Sequence, residues 1–329
     1  MKAIKELLLW LLFISLVVGG LAGFYALRPL SFSQLPYEFS LKQGSSLKSA
    51  ARQMSQAGVL PSDWLFVLLA RSLGKAAQIK PGNYQIEQPM SPLQLVDMIS
   101  KGRVEQSEIT IVEGHTFIQL RQSLNALPTL SHDTVGLSDE EIMNRIGASE
   151  KLAEGLFFPD TYNFATGSSD LSVLKRAYQL MQRRLQENWN KRDPNLPLST
   201  PYEALILASI VEKETGQATD RPMIAGVFIN RLNKKMLLQT DPTVIYGMGS
   251  SFDGNLRKRD LQTDTPYNTY TRGGLTPTPI ALPGLAAIQA TLHPAQTNAL
   301  YFVARGDGSS YFSSTLNEHN NAVNKYQIK

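Results

Sequence analysis

The sequence predicts an α+β protein with an apolar N-terminal helix, a small α/β module and a larger mixed α+β domain. Three observations predict this fold class. Residues 7–27 contain no charged side chain. Along the rest of the chain, helix-capping patterns and amphipathic stretches are interspersed with short strand-like runs. No repeated strand–helix–strand pattern is evident, so a parallel α/β arrangement is not expected for the chain as a whole.

The N-terminal helix is long enough to cross a membrane. Residues 7–27 are apolar, and about 20 such residues span the hydrocarbon core of a bilayer. Lys2 and Lys5 precede this run, which favours a cytoplasmic tail over residues 1–6 and an exported chain after the helix. A cleaved signal peptide is the alternative, but its apolar region is normally only about 7–15 residues long. We therefore expect a single-pass plasma-membrane protein whose main part lies outside the cytoplasm.

Composition excludes several classes of protein and site. The chain of 329 residues contains no cysteine, which rules out disulfides, thiolate metal sites and thiol nucleophiles. No two of its four histidines share a metal-ligand spacing on one helix face, and no metal or cofactor is expected. The net charge is only +4 and no basic stripe is interleaved with aromatic residues, so nucleic acid is not an expected partner.

A short linker over residues 28–36 leads into a small module over residues 37–104. The linker contains two prolines and two serines. An alternating strand at Phe39 and Leu41 opens the module. A helix with a spaced apolar face follows, and that face consists of Leu47, Ala50, Ala51 and Met54.

Two more helices and a strand complete the module. A helix starts after Pro61, and residues 80–90 contain a turn followed by a short strand. The last helix begins with a capping box formed by Ser91 and Gln94 and stops at Gly102. About 65 residues of this kind make a compact α/β unit.

The remaining residues, 105–329, form the larger domain. Its signals are a strand at Ile109 and Ile111, a helix after Gly114 and a capping box at Ser138. Three longer segments follow: an amphipathic helix over 171–190, a polar turn leading into an apolar strand within 237–247, and a hairpin that pairs YFVA (301–304) with SYFSS (310–314).

The helix that begins at Thr200 carries the most informative carboxyl group. Thr200 is the N-cap, and the helix runs to Thr215. On a helical wheel Glu214 extends the apolar stripe, whereas Glu212 lies on the opposite side. Burial and the negative helix end would both raise the pKa of Glu214, and a general acid needs a carboxyl group that is protonated near neutral pH. The alternative is a glutamate that simply ends the helix at the surface.

Polar and aromatic segments downstream of this helix are typical of carbohydrate sites. Sugar faces stack on aromatic rings, and sugar hydroxyls bind amides and carboxylates. The candidate side chains are Gln239, Asp241, Tyr267, Asn268 and Tyr270. Packing in the core is the alternative for the tyrosines. For the aspartate, which is also a rival catalytic carboxylate, the alternative is to cap the turn before Pro242.

Several motifs together resemble the endolytic murein transglycosylase family, also called YceG-like. They are VEG at 112–114, LASIVEKET at 207–215, VFINRL at 227–232, LQTDPTVIYG at 238–247, YNTY at 267–270 and YFVA at 301–304. The resemblance covers nearly the whole chain, including the N-terminal anchor. It implies that residues 37–104 are a LysM-like module and that residues 105–329 are the catalytic domain.

The resemblance also implies an activity. The family cleaves the β-1,4 bond between N-acetylmuramic acid and N-acetylglucosamine within nascent peptidoglycan strands, leaves 1,6-anhydro ends and would thereby terminate strand elongation. The implied catalytic residue is Glu214, the second glutamate of the EKE string. We expect six side chains to position the glycan: Gln239, Asp241, Tyr246, Tyr267, Asn268 and Tyr270. Peptidoglycan synthases are further partners to consider.

One competing class and two departures from the family pattern stay open. A non-enzymatic, membrane-anchored scaffold that binds peptidoglycan or its synthases would carry the same anchor. Residues 274–277 read GLTP where relatives often read GLPP. Ser310 stands where some relatives carry a histidine in the last hairpin.

Overall fold

The computed structural model describes residues 2–32, 35, 37–42, 44–86, 88–102 and 106–327. These residues form helices and short strands, and the mixed α+β class is confirmed. In chain order the elements are α1 (Lys2–Leu27), β1 (Tyr37–Leu41), α2 (Leu47–Gln56), α3 (Asp63–Ser72), β2 (Gly82–Ile86), α4 (Pro92–Lys101), β3 (Gln106–Thr110), α5 (Phe117–Asn125), β4 (Leu130–Ser131), α6 (Asp139–Ile146), β5 (Thr161–Ala165), β6 (Ser168–Ser169), α7 (Asp170–Trp189), α8 (Pro201–Glu214), α9 (Arg221–Asn233), α10 (Asp241–Met248), α11 (Lys258–Gln262), α12 (Leu285–Leu292), β7 (Tyr301–Ala304), β8 (Ser310–Ser313) and α13 (Leu316–Tyr326).

The chain divides into two compact units. The first comprises Met1–Glu108 with two short returns of the chain, Thr129–Ser131 and Asn163–Ser168. The second comprises the rest of the described chain. The predicted boundary between residues 104 and 105 lies outside the described residues, and the LysM-like character of residues 37–104 stays a prediction. Within the described part of the chain the strands pair as four two-stranded sheets, β1–β2, β3–β5, β4–β6 and β7–β8.

Helix α1 has the length and composition of a membrane span. Its segment Leu9–Leu27 has a mean hydropathy of 2.0 and only 6% of it is buried within the protein. Most of its large apolar side chains, such as Trp10 and Leu16, are exposed. A bilayer would cover them, since about 20 apolar helical residues cross the hydrocarbon core. The same test of length and composition is also passed by a signal sequence near an N-terminus, so it does not by itself distinguish the two.

The first unit encloses its own apolar core. Strands β1 and β2 pair antiparallel, with Tyr37 opposite Ile86, and helices α2, α3 and α4 cover them. Phe39 and Tyr84 stack at its centre, with ring centroids 5.3 Å apart. The predicted inward face of α2 is confirmed, because Leu47, Ala50, Ala51 and Met54 are all buried. The capping box of α4 is also confirmed, and the helix ends at Gly102 in the left-handed conformation that glycine favours.

The second unit is organised around α8. This helix packs against α7, α9, α10 and α12, and its residues Ala204–Val211 are all buried. The predicted long helix is confirmed as α7, the predicted capping box at Ser138 opens α6, and the predicted hairpin is β7–β8. A helix buried on every side is a rigid support, so whatever its last turn carries is held in a fixed place.

One predicted element is wrong. Residues 237–247 were expected to form a polar turn and then an apolar strand, but Asp241–Met248 is the helix α10. Pro242 in the first turn and an acidic residue at the helix start both favour this helix. The β-branched residues Thr243, Val244 and Ile245 suggested a strand, yet Thr243 and Val244 form the buried side of the helix.

A buried carboxylate ties a loop of the second unit to α7. Asp170 is fully buried at the start of α7 and accepts hydrogen bonds from the backbone N–H groups of Asp133, Thr134 and Leu171. It also accepts the hydroxyl of Thr134. A buried carboxylate needs several donors to replace water, and this one has them.

Replacing Asp170 with alanine should destabilise the protein markedly, because the donors that it serves would be left unpaired. We expect a loss of about 2–4 kcal/mol in the free energy of unfolding. The matched control is Asp160→Ala, whose exposed carboxylate accepts the N–H of Thr161, the next residue, at 2.8 Å. Urea unfolding followed by circular dichroism measures both variants. Equal losses in the two variants would contradict this account of Asp170.

Candidate active site

Helix α8 begins and ends close to the predicted positions, and its last turn carries Glu212 and Glu214. Thr200 caps the helix by accepting the N–H of Glu203, and Pro201 occupies the first turn. The helix ends at Glu214, because Thr215 has an extended backbone with φ −148°. The predicted start and end of this helix are therefore confirmed to within one residue.

The helical wheel separated the two glutamates more sharply than the structure does. The wheel also puts Ser209 on the outer side, with Lys213, but Ser209 is fully buried and its hydroxyl oxygen accepts the N–H of Ile280. Glu212 is enclosed as well, with its side chain 5% exposed. The wheel failed here because α8 is covered on every side. Burial alone therefore does not distinguish the glutamates.

Their partners do distinguish them. One carboxylate oxygen of Glu212 pairs with the guanidinium of Arg221 at 3.2 Å, and the other accepts the N–H of Gly284 at 2.9 Å. These two donors favour the ionised form, although burial raises the pKa of Glu212. The carboxylate is thus engaged in holding α9 and the start of α12 to α8, which is a structural role.

The Glu214 carboxyl group has no such cation among its described contacts. It accepts a short hydrogen bond from the hydroxyl of Thr240. Burial raises the pKa of Glu214, the Thr240 hydroxyl lowers it, and the nearby charge of Asp241 raises it; together they bring the pKa to about 7. The residue is only partly covered, so one side of it stays accessible. A carboxyl group that is partly protonated near neutral pH and reachable from outside is suited to donate a proton.

Arg231 holds the segment that delivers Thr240. This buried guanidinium donates to the carbonyl oxygens of Leu237 and Leu238, each at 3.0 Å, and to the side-chain oxygen of Gln239 at 3.2 Å. Gln239 has φ +50°, a left-handed backbone that is uncommon for a residue with a side chain. The surrounding hydrogen bonds impose this turn, and the turn aims Thr240 at Glu214.

The other side of the same turn is fixed by the loop that contains Thr269. The N–H of Gln239 donates to the carbonyl of Thr269 at 3.1 Å, and the N–H of Thr240 donates to its hydroxyl, also at 3.1 Å. Asp241 follows directly and accepts the phenol of Tyr270 at 2.5 Å. Burial, and then the hydrogen bond to Asp241, raise the pKa of Tyr270, so this phenol stays a donor. The structure thus brings Asp241 and Tyr270 close to Glu214 and places Gln239 in the turn that carries Thr240, while their role in binding stays a prediction.

Tyr246 and Tyr267 form a second group. Their rings meet edge to face, with centroids 4.9 Å apart, and the Tyr267 hydroxyl is 2.9 Å from that of Thr278. The Tyr246 phenol donates to Glu154 at 3.1 Å. Glu154 is almost fully buried and also accepts the N–H of Phe117 at 3.0 Å. Burial raises the pKa of Glu154 to about 7. Both tyrosines keep part of their surface exposed, so they can still line a groove.

Asn268 has the contacts of a residue that shapes its own loop. It is fully buried, and its amide nitrogen donates to the carbonyls of Leu261 at 3.0 Å and Thr263 at 2.7 Å. Its amide oxygen accepts the N–H of Tyr270 at 2.8 Å. Among the predicted site residues it alone has no exposed surface, so its described contacts fix Tyr270 rather than face a ligand.

Three residues of the site were not selected from the sequence. Thr240, Arg231 and Glu154 contact the predicted residues and determine their positions. The sequence contained a signal for Arg231, because this arginine closely follows the apolar run VFI, separated from it only by Asn230. An arginine buried at such a position needs hydrogen-bond acceptors. Glu154 gave a similar signal, as a carboxylate beside the apolar run GLFF. Thr240 gave none, because its role depends on a turn that brings distant parts of the chain together.

Comparisons with known proteins agree with the resemblance seen in the motifs. The sequence profile of the YceG-like family matches residues 39–325. The endolytic murein transglycosylase of Bacillus subtilis (strain 168) is 32% identical, over 94% of this chain and 91% of the relative. That of Streptococcus pneumoniae serotype 2 (strain D39 / NCTC 7466) is 27% identical over 95% of this chain, which spans only 64% of that longer protein. A crystal structure of a YceG-like protein from Listeria monocytogenes superposes with a TM-score of 0.55 at 28% identity, over 86% of this chain and 97% of the other.

The hydroxyl of Thr240 should keep the pKa of Glu214 from rising above about 7. Replacing Thr240 with valine removes a hydrogen bond that favours the ionised carboxylate, so the pKa should rise by about one unit. Thr240→Ser keeps the hydroxyl and is the matched control. Carbon-13 NMR titration of labelled glutamate side chains in the full-length protein measures the pKa, with Glu214→Gln used to assign the signal. An unchanged pKa in the valine variant would contradict the role given to Thr240.

Proposed function

The chain belongs to the YceG-like family, and from this premise we propose that it is a membrane-anchored lytic transglycosylase that cuts within nascent peptidoglycan strands. It is an enzyme of the lyase class to which its endolytic murein transglycosylase relatives belong. The bond cleaved is the β-1,4 link between N-acetylmuramic acid and N-acetylglucosamine, and the product ends in 1,6-anhydro-N-acetylmuramic acid. The observation that carries the proposal is the enclosed carboxyl group of Glu214, which lacks a cationic partner among its described contacts.

Glu214 acts first as a general acid. Its protonated carboxyl donates a proton to the glycosidic oxygen as the bond from C1 of N-acetylmuramic acid to that oxygen breaks. The N-acetylglucosamine part then leaves as a neutral alcohol. Positive charge develops at C1 and is shared with the ring oxygen, or is relieved by the neighbouring N-acetyl group.

Glu214 then acts as the base. The ionised carboxylate accepts the proton of the C6 hydroxyl of the same N-acetylmuramic acid, whose oxygen forms the new bond to C1. The carboxyl group regains its proton, and no water is consumed. An intramolecular nucleophile has a high effective concentration, so this route competes well with attack by solvent. One carboxyl group suffices for both steps, whereas the common hydrolases need two.

The surrounding residues position the glycan. Gln239, Asp241 and Tyr270 lie around Glu214 and offer amide, carboxylate and phenol groups to sugar hydroxyls. Tyr246 and Tyr267 present aromatic surface for sugar faces. Asp241 is exposed and already accepts a phenol, so it lacks the enclosure that a proton donor needs. We assign it to binding, together with the tyrosines.

The remaining parts of the proposal concern the membrane. Residues 7–27 anchor the protein in the plasma membrane, with residues 1–6 in the cytoplasm and the catalytic unit outside. The apolar length of α1 and the lysines before it support this orientation. An anchored enzyme would meet glycan strands close to where membrane synthases extend them, so its cuts would terminate elongation.

Replacing Glu214 with glutamine should abolish cleavage, because an amide neither donates nor accepts the required proton. We expect a rate loss of about 10²–10⁴-fold. The control is Glu203→Gln, a carboxylate in the first turn of the same helix. Purified glycan strands are digested with full-length enzyme in detergent, and the ends are identified by mass spectrometry. The wild type should yield anhydro ends, one water lighter than reducing ends.

Each other outcome of this digestion has a definite meaning. Reducing ends from the wild type would make the enzyme a hydrolase. Full activity in Glu214→Gln would remove Glu214 from the chemistry. If the wild type itself leaves the strands intact, the competing scaffold function stands instead.

The cleavage rate should fall as pH rises through about 7. Glu214 must be protonated to act as the acid, and its pKa is raised to about 7, so the active form is lost above that pH. Glu154→Gln is the control, because the pKa of Glu154 is also raised to about 7. The midpoint of the decline should stay in place in this variant even if the overall rate drops. If the decline disappears in Glu154→Gln, the titrating group is Glu154, and the assignment of the pH dependence to Glu214 is wrong.

A further inference from the structure

Helix α3 leaves large apolar side chains on the surface of the first unit. Trp64 is 62% exposed and Leu68 is 54% exposed, and they lie one turn apart on the same side of the helix. The opposite side is anchored in the core by Phe66 and Ala70. Single exposed apolar residues are ordinary on protein surfaces, but a tryptophan and a leucine side by side form a contiguous apolar patch.

Cationic side chains border this patch. Lys48 and Arg52, one turn apart on α2, line the same shallow groove as Trp64 and Leu68. The groove also contains the carboxylate of Asp63, which accepts the N–H of Trp64 at 2.8 Å. Both cations are exposed, and neither has an ion-pair partner among the described residues. A tryptophan, a leucine and two unpaired cations together match the surface of a lipid bilayer, where apolar groups enter the headgroup layer and cations meet lipid phosphates.

The position of α3 within the unit brings the patch close to the end of the membrane span. The phenol of Tyr25 in α1 lies 3.5 Å from the carbonyl of Ser62, the residue that precedes α3. Tyr25 is two residues before the end of the apolar segment at Leu27, a rise of about 3 Å. Trp64 follows Ser62 by two residues, at most about 7 Å along the chain.

A second contact supports this placement. The last turn of α1 and the segment before α3 line one cavity, with Phe24 and Arg28 on one side and Leu60 and Pro61 on the other. With α1 spanning the bilayer as proposed, Ser62 lies at the depth of the bilayer surface at which α1 ends. The headgroup layer is roughly 5–7 Å thick on each side of the hydrocarbon core, so Trp64 lies within reach of it.

We propose that Trp64, Leu68, Lys48 and Arg52 form a second membrane contact, with the lipid headgroup layer of the bilayer that α1 crosses. This inference rests on the proposed anchoring of α1. The aromatic and aliphatic side chains enter the layer, and the two cations bind anionic phosphates. The first unit is then fixed against the membrane by two contacts, which limits its rotation about the end of α1.

Spin labels on the full-length protein test this contact. The chain contains no cysteine, so each introduced cysteine carries the only label. Labels are placed by the substitutions Trp64→Cys, Leu68→Cys, Val17→Cys in α1 and Leu316→Cys, an exposed control that is 55% accessible in the second unit. The protein is reconstituted in nanodiscs of phosphatidylglycerol and phosphatidylcholine. Relaxation by lipid-soluble oxygen and by a water-soluble nickel chelate gives the depth of each label.

The expected result is a graded one. The label at residue 17 should be deep, those at 64 and 68 should be at the headgroup level, and that at 316 should be in water. In discs of phosphatidylcholine alone, or with Lys48→Ala and Arg52→Ala, the labels at 64 and 68 should shift toward water. Because both labelled sites on α3 are exposed, circular dichroism should show an unchanged fold.

The labels separate the failure of this inference from the failure of the anchor. The second contact is wrong if the label at 17 is deep but those at 64 and 68 are as accessible to the nickel chelate as the label at 316. The anchor would then stand, and the patch would be a candidate surface for a protein partner. A label at 17 in water would overturn the anchor and the second contact together. The digestion assay for anhydro ends is independent of both results.

Discussion

The site depends on a carboxyl group that is taken out of water without a cation to balance it. Glu214 has the Thr240 hydroxyl as its described hydrogen-bond donor, and burial raises its pKa to about 7. A rise from the ordinary value of 4.5 corresponds to an order of 3 kcal/mol of unfavourable interaction with the ionised form. The fold sustains this cost because the body of α8, residues Ala204–Val211, is buried on every side and holds the last turn in place. Glu212, two residues earlier, is also buried, but its negative charge is balanced by the guanidinium of Arg221 and it accepts the N–H of Gly284.

Rigid support of the surrounding turn is the second requirement. Arg231 binds the carbonyls before Thr240, Thr269 binds the backbone on the other side, and Asn268 fixes the loop that carries Thr269. These buried polar groups are satisfied by backbone atoms, so each one defines a loop conformation rather than a ligand contact. The positive φ of Gln239 is the strained point that they hold in place. The contact between the Thr240 hydroxyl and Glu214 is thus the end of a chain of structural hydrogen bonds.

The sequence predicted elements that depend on local rules and missed features that depend on tertiary packing. The face of α2, the capping boxes at Ser91 and Ser138, and the hairpin β7–β8 follow from spacing and turn chemistry, and all are confirmed. The β-branched run Thr243–Ile245 favours a strand, whereas the proline and the acidic start favour the helix α10 that the structure shows. The wheel predicted that Glu214 lies on the buried side of α8, in agreement with its raised pKa, but it put Glu212 on the opposite side, and Glu212 is buried as well. Thr240 reaches Glu214 across 26 positions of sequence, and no local pattern encodes that contact.

Proton donation and stability oppose each other in this protein. In the unfolded chain Glu214 and Glu154 lose their protons near the ordinary pKa of 4.5, whereas in the folded protein the pKa of each is about 7. Between these values the folded state holds protons that the unfolded state has released, so the free energy of unfolding falls as pH rises, by about 1.4 kcal/mol per pH unit for each group. Above about 7 both states have lost the protons and the decline stops. In the proposed reaction Glu214 acts as an acid below a pH of about 7. Between about 4.5 and 7, the burial of this group makes the fold less stable as the pH rises. A fully paired carboxylate would remove this weakness, but it would also lose the proton that the proposed reaction needs.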